Sequence, residues 1–336
     1  MTSHSLRRHP VSFVARWCGL VSVLVAVVSH ALVHAAPAGG LGFQTNDVVV
    51  LVGGSSAVAE NASGILETAL LLAHPRHQLR IRNLAKEGDT VFSRPREVNY
   101  PDLAQQVRRT QASVIVVQFG RAEALSGPAR PTEFRAAYLG LLEELRQVTP
   151  RLVLVTPTPF ERGAPPLPDL EPRNSVLDAY SEIIRSIARE RGLMLWDVAA
   201  ALKPEANAKA RRTVDGLQLS SAGERAVASS VVRQLGNAPL ADALMRSEGG
   251  VWSDPRVKDL QSAVVEKNRL WFLYVRPTNW AFLGGDRTEQ QSSRDHRDPK
   301  IRWFPQEIEQ FVPLIAEADR RIAGRTPQLQ PSSTLR

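Results

Sequence analysis

Five short apolar runs, each followed by a stretch with apolar residues at helical spacing, set the tightest limit on what this chain can fold into. The runs read as strands at Val48–Val52, Gln78–Leu84, Ser113–Phe119, Arg151–Thr156 and Leu193–Asp197. The first is continuously apolar, as expected of a strand covered on both faces. The second alternates, with Leu79, Ile81 and Asn83 set against Arg80 and Arg82. Between the runs, Leu66, Ala69, Leu70 and Ala73 predict a helix over Gly64–Ala73, ended by Pro75, and another follows at Leu103–Thr110. Phe134, Tyr138, Leu141, Leu142 and Leu145 form the apolar face of a third, with Thr132 as its N-cap. Leu177, Tyr180, Ile183, Ile184 and Ile187 mark a fourth, capped by Asn174 and stopped by Gly192. A small helix follows the fifth strand, and Ser221-Ala222-Gly223-Glu224 reads as a capping box opening a helix to Leu235. Such alternation predicts a three-layer α/β/α domain on a five-stranded, mainly parallel sheet.

The N-terminus is of another kind. Arg7, Arg8 and Arg16 precede a run from Cys18 to Val33 without Asp, Glu, Lys or Arg, and small residues follow at Ala35 and Ala36. This is the pattern of a Sec-type signal peptide over residues 1–35, with cleavage expected after Ala35 and a periplasmic or secreted product. An uncleaved anchor is the other reading, although the run is short for a span. After cleavage no stable membrane span is expected. The only cysteine, Cys18, falls in the signal, so the mature chain carries neither disulfides nor thiol chemistry. Net charge is +8, of which those three arginines supply three, leaving +5 spread among acids rather than gathered in a stripe. Nucleic acid is therefore not an expected partner.

The sheet's chemistry-bearing edge begins at Asp47–Ser56, Asp-Val-Val-Val-Leu-Val-Gly-Gly-Ser-Ser. Gly53 and Gly54 let the backbone turn sharply and present Ser55 and Ser56 at a strand's carboxyl end, where ligands of open α/β sheets bind. Ser55 is either a nucleophile or part of an ordinary strand-to-helix turn.

Four short blocks, each after the right strand, decide between these. They are Gly53-Gly54-Ser55, then Asn83-Leu84-Ala85-Lys86-Glu87-Gly88-Asp89-Thr90, then Gly120-Arg121-Ala122-Glu123, and last Asp215-Gly216-Leu217-Gln218. Together they resemble the SGNH (GDSL-type) hydrolases over roughly Asp47–Leu235. The resemblance implies a flavodoxin-like sheet order and ester hydrolysis. Ser55 would be nucleophile, Asp215 would orient the base, and Ser55 and Gly88 would help form the oxyanion hole. It also exposes departures. The base histidine is replaced by Gln218, the oxyanion asparagine by Ala122, and an aspartate by Gly54. A glutamine amide cannot take a proton near neutral pH, so the family mechanism is expected to be impaired.

Other histidines could supply a base. His74 and His77 flank the end of the first helix, where exposure explains them, and His296 in Ser292-Ser293-Arg294-Asp295-His296-Arg297 could fold over the crevice. Glu123 reads as structural. No spacing suggests a metal site or a phosphate-cradling loop, and no cofactor is implied.

Residues 36–46 form a lead-in, 47–236 the α/β domain, 237–324 a C-terminal extension packed on it, and 325–336 a disordered tail. Four of six tryptophans lie between Trp252 and Trp303, and Lys267–Trp280 is the extension's densest stretch. Its aromatics either stack on a sugar or hold the extension to the sheet, as a lid or a flank. Phe311, Leu314, Ile315 and Ile322 suggest a closing helix. Three functions stay open: an impaired esterase relative that binds an acylated or carbohydrate ligand, an active esterase using Ser55 with an unconventional base, and a structural or partner-binding envelope protein with a closed crevice.

Overall fold

The computed structural model describes residues 42–202, 211–246 and 252–329. The expected signal peptide and most of the lead-in lie outside them. Strands β1 (Val48–Gly53), β2 (Arg80–Asn83), β3 (Val114–Gln118), β4 (Leu152–Val155) and β5 (Met194–Trp196) form one sheet. Its order is β2-β1-β3-β4-β5, and every pair is parallel. The helices are α1 (Ser55–Ser63), α2 (Ile65–Ala73), α3 (Leu103–Arg109), α4 (Arg121–Leu125), α5 (Pro131–Arg146), α6 (Asn174–Arg191), α7 (Val198–Ala201) and α8 (Ser221–Gln234). Beyond them come α9 (Ala238–Arg246), α10 (Pro255–Val275), α11 (Trp280–Leu283), α12 (Trp303–Glu309) and α13 (Phe311–Arg325).

The period of two along each strand divides the interior. Val49, Leu51, Val114, Val116 and Val153 face a core closed by α2, α8 and α9. Val48, Val50, Val52, Ile115, Val117 and Leu154 face a second core closed by α3, α5 and α6. Helix α10 serves both. Val257, Leu260 and Val264 enter the first core, while Leu270 and Trp271 enter the second. That straddling position sets the extension against the open side of β2.

The outward carbonyls of this edge strand meet a ladder of side-chain donors. Lys267 Nζ donates to Ile81 O at 3.0 Å, Trp271 Nε1 to Asn83 O at 2.8 Å, and Arg276 to Ala85 O. Lys267 also pairs with Glu67 at 2.8 Å and donates to Asn268 Oδ1 at 2.5 Å. An exposed edge invites pairing with another chain, and this one is covered. The extension is therefore a flank, with Trp271 in the seam.

Several local expectations shift. Helix α1 was not foreseen, because its apolar positions are mostly small alanines; Gly64, at φ +67°, hinges it to α2. Thr132 is not the N-cap of α5, since the helix starts at Pro131 after Arg130. Asn174 is already helical, and its amide instead bonds the backbone of Phe160 in both directions. In α8 the cap is Ser220, whose Oγ accepts from Gly223 N, so Ser221 and Glu224 form no capping box. Arg82, expected to face out, is buried at 8% exposure, beneath the Trp271 ring and paired with Asp319. The tail is ordered further than expected: Thr326–Gln328 form a 3-10 turn and Leu329 enters the core, while residues 330–336 lie outside the described part.

Candidate active-site crevice

The carboxyl ends of β1, β3 and β4 open into a cavity of about 410 Å³. Ser55 stands at its wall as the first residue of α1, exposed to solvent. Gly54 caps that helix without a side chain, and its carbonyl accepts from Ala57 N at 3.1 Å and Val58 N at 3.3 Å. The amides of Ser55 and Ser56 donate to no acceptor among the described residues. Two orphan donors at a helix start are suited to a ligand oxygen.

Gly54 has a steric reason to be glycine. A Cβ there would meet the Asp89 carbonyl at 2.6 Å. Asp89 itself is fixed by a two-pronged pair with Arg96, at 2.7 and 2.8 Å. Gly88, at φ +81°, makes the turn that carries Asp89 back, and its flanking residues Glu87 and Asp89 line the cavity.

The third block keeps its shape without its donor. Glu123 accepts from Gly120 N at 2.8 Å and from Val91 N at 2.7 Å, tying the loops after β2 and β3 together. Burial raises its pKa against those two amides. Ala122 lines the cavity where an asparagine would have offered an amide. Arg121, beside it, is buried at 6% exposure, and burial lowers its pKa to about 10.

In the last block Asp215 accepts from Leu217 N at 2.8 Å and Gln218 N at 2.5 Å, so it braces its own turn. Gln218 is exposed on the rim, and its side chain makes no hydrogen bond among the described residues. Among the described residues no histidine lines the cavity. His74 and His77 sit at the other end of β1, where His77 O accepts from Asn46 N, a strand length or roughly 20 Å from Ser55. Burial, then the charge of His77, lowers His74 to about 4. His296 is an exposed side chain 3.8 Å from Asp295 and does not reach the cavity.

The motifs did not point to Glu60, Thr158 and Glu224, which line the same cavity. Burial raises Glu60 to about 7, although Gln118 donates to it at 3.0 Å and Arg121 lies nearby. The readable signal was its spacing of four from Ser56, which puts both on one face of α1. Among the described residues no cluster of His, Cys, Asp and Glu could hold a metal ion, and no helix is long and apolar enough to cross a membrane.

No curated protein matches this chain in sequence. Among solved structures, LAE5, an α/β-hydrolase enzyme from the metagenome of Lake Arreo in Spain, is similar at 18% identity and a TM-score of 0.47, over 58% of this chain and 98% of that one. Axe2, an acetylxylan esterase from Geobacillus stearothermophilus, is similar at 16% identity and a TM-score of 0.45, over 58% of this chain and 97% of that one. The description "GDSL-like Lipase/Acylhydrolase family" matches residues 51–226. That match takes in all four blocks and just over half of the 336 residues, and on it the chain belongs to the GDSL-like lipase/acylhydrolase family.

Proposed function

We propose that this is an exported member of the family in which ester hydrolysis is impaired and the crevice holds an acylated or carbohydrate ligand. One observation carries the reading: the base position is Gln218, and among the described residues no histidine reaches the cavity that Ser55 lines. Without a base the serine hydroxyl keeps its proton and is a poor nucleophile. In other serine hydrolases, loss of the base costs on the order of a millionfold in turnover. Export rests on the sequence of residues 1–35.

A second reading, an active esterase with a base from outside the motif, draws its base from the cavity's own carboxylates, Glu60 foremost. Glu60, raised to about 7 by burial, could accept a proton near neutral pH. The test is hydrolysis of short-chain aryl esters by the chain from Ala36, beside Ser55→Ala, Gln218→His and Glu60→Gln. Wild type is expected to match the Ser55→Ala background, and Gln218→His to rise above it. Wild-type turnover abolished by both Ser55→Ala and Glu60→Gln would replace the first reading with the second.

A further inference from the structure

The end of the sheet opposite the crevice is built from the connections that enter the strands. Residues 74–80 lead into β2, 110–113 into β3 and 147–151 into β4, and none of them is Asp or Glu. Contacts tie all three to the start of β1. His77 O accepts from Asn46 N at 2.7 Å, and Arg80 stands level with Val48. Ser113 Oγ donates to Asp47 at 2.7 Å, and Arg151 pairs with the same carboxylate at 2.6 and 2.9 Å. Arg76 and Arg80 project from the first connection, Arg108 from the last turn of α3 and Arg146 from the last turn of α5. All four are exposed, and among the described residues none of them has an ion pair or a side-chain hydrogen bond.

The acids nearby are already matched. Asp47 is held by Arg151, Glu143 by Arg191, Glu144 by Arg94 and Glu190 by Arg135. Charges scattered along the sequence are thus gathered by the fold, which leaves these four arginines unmatched at one end. The ends of α3 and α5 account for part of this, since a helix C-terminus favours a cation. They do not account for Arg76 and Arg80, which lie in a turn and at the first position of a strand.

What such a face fits follows from its texture. None of the exposed large hydrophobic side chains belongs to these connections, whereas a protein interface is built around an apolar, aromatic core. An array of cations without that core suits a delocalised negative charge, as on an anionic bilayer. The chain also enters the described part here, where Gly42 O accepts from Arg151 at 3.1 Å. In sequence this end comes soon after the apolar run of residues 18–33, so a chain exported through that run presents it to the bilayer first. We propose that this arginine-bearing base is an adsorption surface for an anionic lipid bilayer, holding the domain with its crevice turned away from the membrane. The proposal rests on the reading of residues 1–35 as an export segment.

The experiment is vesicle co-sedimentation of the chain from Ala36 at about 0.15 M salt. Vesicles of phosphatidylcholine are compared with vesicles in which phosphatidylglycerol replaces part of it. The anionic vesicles are expected to bind about a hundredfold more tightly or better, and less so as salt rises. Arg76→Gln combined with Arg80→Gln is expected to weaken that binding about twentyfold, from roughly fivefold per arginine, with thermal unfolding unchanged. Arg297→Gln combined with Lys300→Gln, both exposed on the extension, removes the same charge and is expected to leave binding within about twofold of wild type. No preference for the anionic vesicles, or an equal loss in both pairs, overturns the proposal. Soluble polyglutamate bound as tightly as the vesicles overturns the bilayer in favour of an acidic protein partner. Full-length chain retained in the cytoplasm overturns the export reading by itself, while failure on vesicles with export intact overturns the adsorption surface alone.

Discussion

Lys267 in the seam and Arg121 in the crevice are both cations withdrawn from water, at 1% and 6% exposure, and the chain surrounds them differently. Lys267 has three acceptors, a carboxylate, a strand carbonyl and a side-chain amide, one for each of its protons. Among the described residues, Arg121 keeps an unpaired Nε and no carboxylate in ion-pair contact. Lys267 is thus fully satisfied, as expected of a group that holds two parts of a fold together. Arg121 is left partly unsatisfied beside the cavity.

The contrast can be broken most sharply at the seam. Lys267→Met strands Glu67, 6% exposed, without its cation, and is expected to cost about 3–5 kcal/mol in denaturant unfolding. A loss under 1 kcal/mol would show that the seam is not the tight joint described. The crevice contributes through pH. Glu60 has a folded pKa of about 7 against 4.5 in a free chain, so its contribution is fully present below 4.5 and is lost as pH rises to 7. The wild type is expected to lose at most about 3 kcal/mol across that window from this group. Unfolding of Glu60→Gln measured at pH 4.5 and 7 should show the decline reduced by that amount.

Gly54→Asp, which puts back the residue of the family's first block, drives a Cβ into the Asp89 carbonyl and should cost about 1–3 kcal/mol. A neutral result would mean the Asp89 turn yields, against its anchoring by Arg96. The smallest effect is expected at Arg121. Arg121→Gln removes a charge that has no partner to strand, and its stability should stay within about 1 kcal/mol of wild type. Set beside Lys267→Met, it tests whether the two cations differ as their surroundings say.

Much of this frame was legible because it rests on local pattern. Apolar runs marked four strands and alternation the second, and Pro75 and Gly192 marked two helix ends, since such signals need no tertiary knowledge. Caps were read less well where polar residues adjoin. Ser220 and Ser221 offer two registers, and only the approach of Gly223 N chooses Ser220. Arg82 read as solvent-facing because alternation reports one sheet face, whereas its burial comes from Trp271 and Asp319, far along the chain. The blocks pointed to Ser55, Gly88, Ala122, Asp215 and Gln218, yet Glu60, Thr158 and Glu224 join the crevice only through the crossing of β1, β4 and α8. Motif spacing holds no trace of that meeting.

The donor ladder along β2 also bears on the order in which the chain is made. The carbonyls of Ile81, Asn83 and Ala85 wait for side chains 186, 188 and 191 residues downstream. At about 5–20 residues per second, the ribosome needs roughly 10–40 s to deliver them. Throughout that interval the sheet's outer strand is an open template, and any nascent chain that folds its first half early carries that exposure. The extension is thus made after the sheet and is the part that closes its open edge.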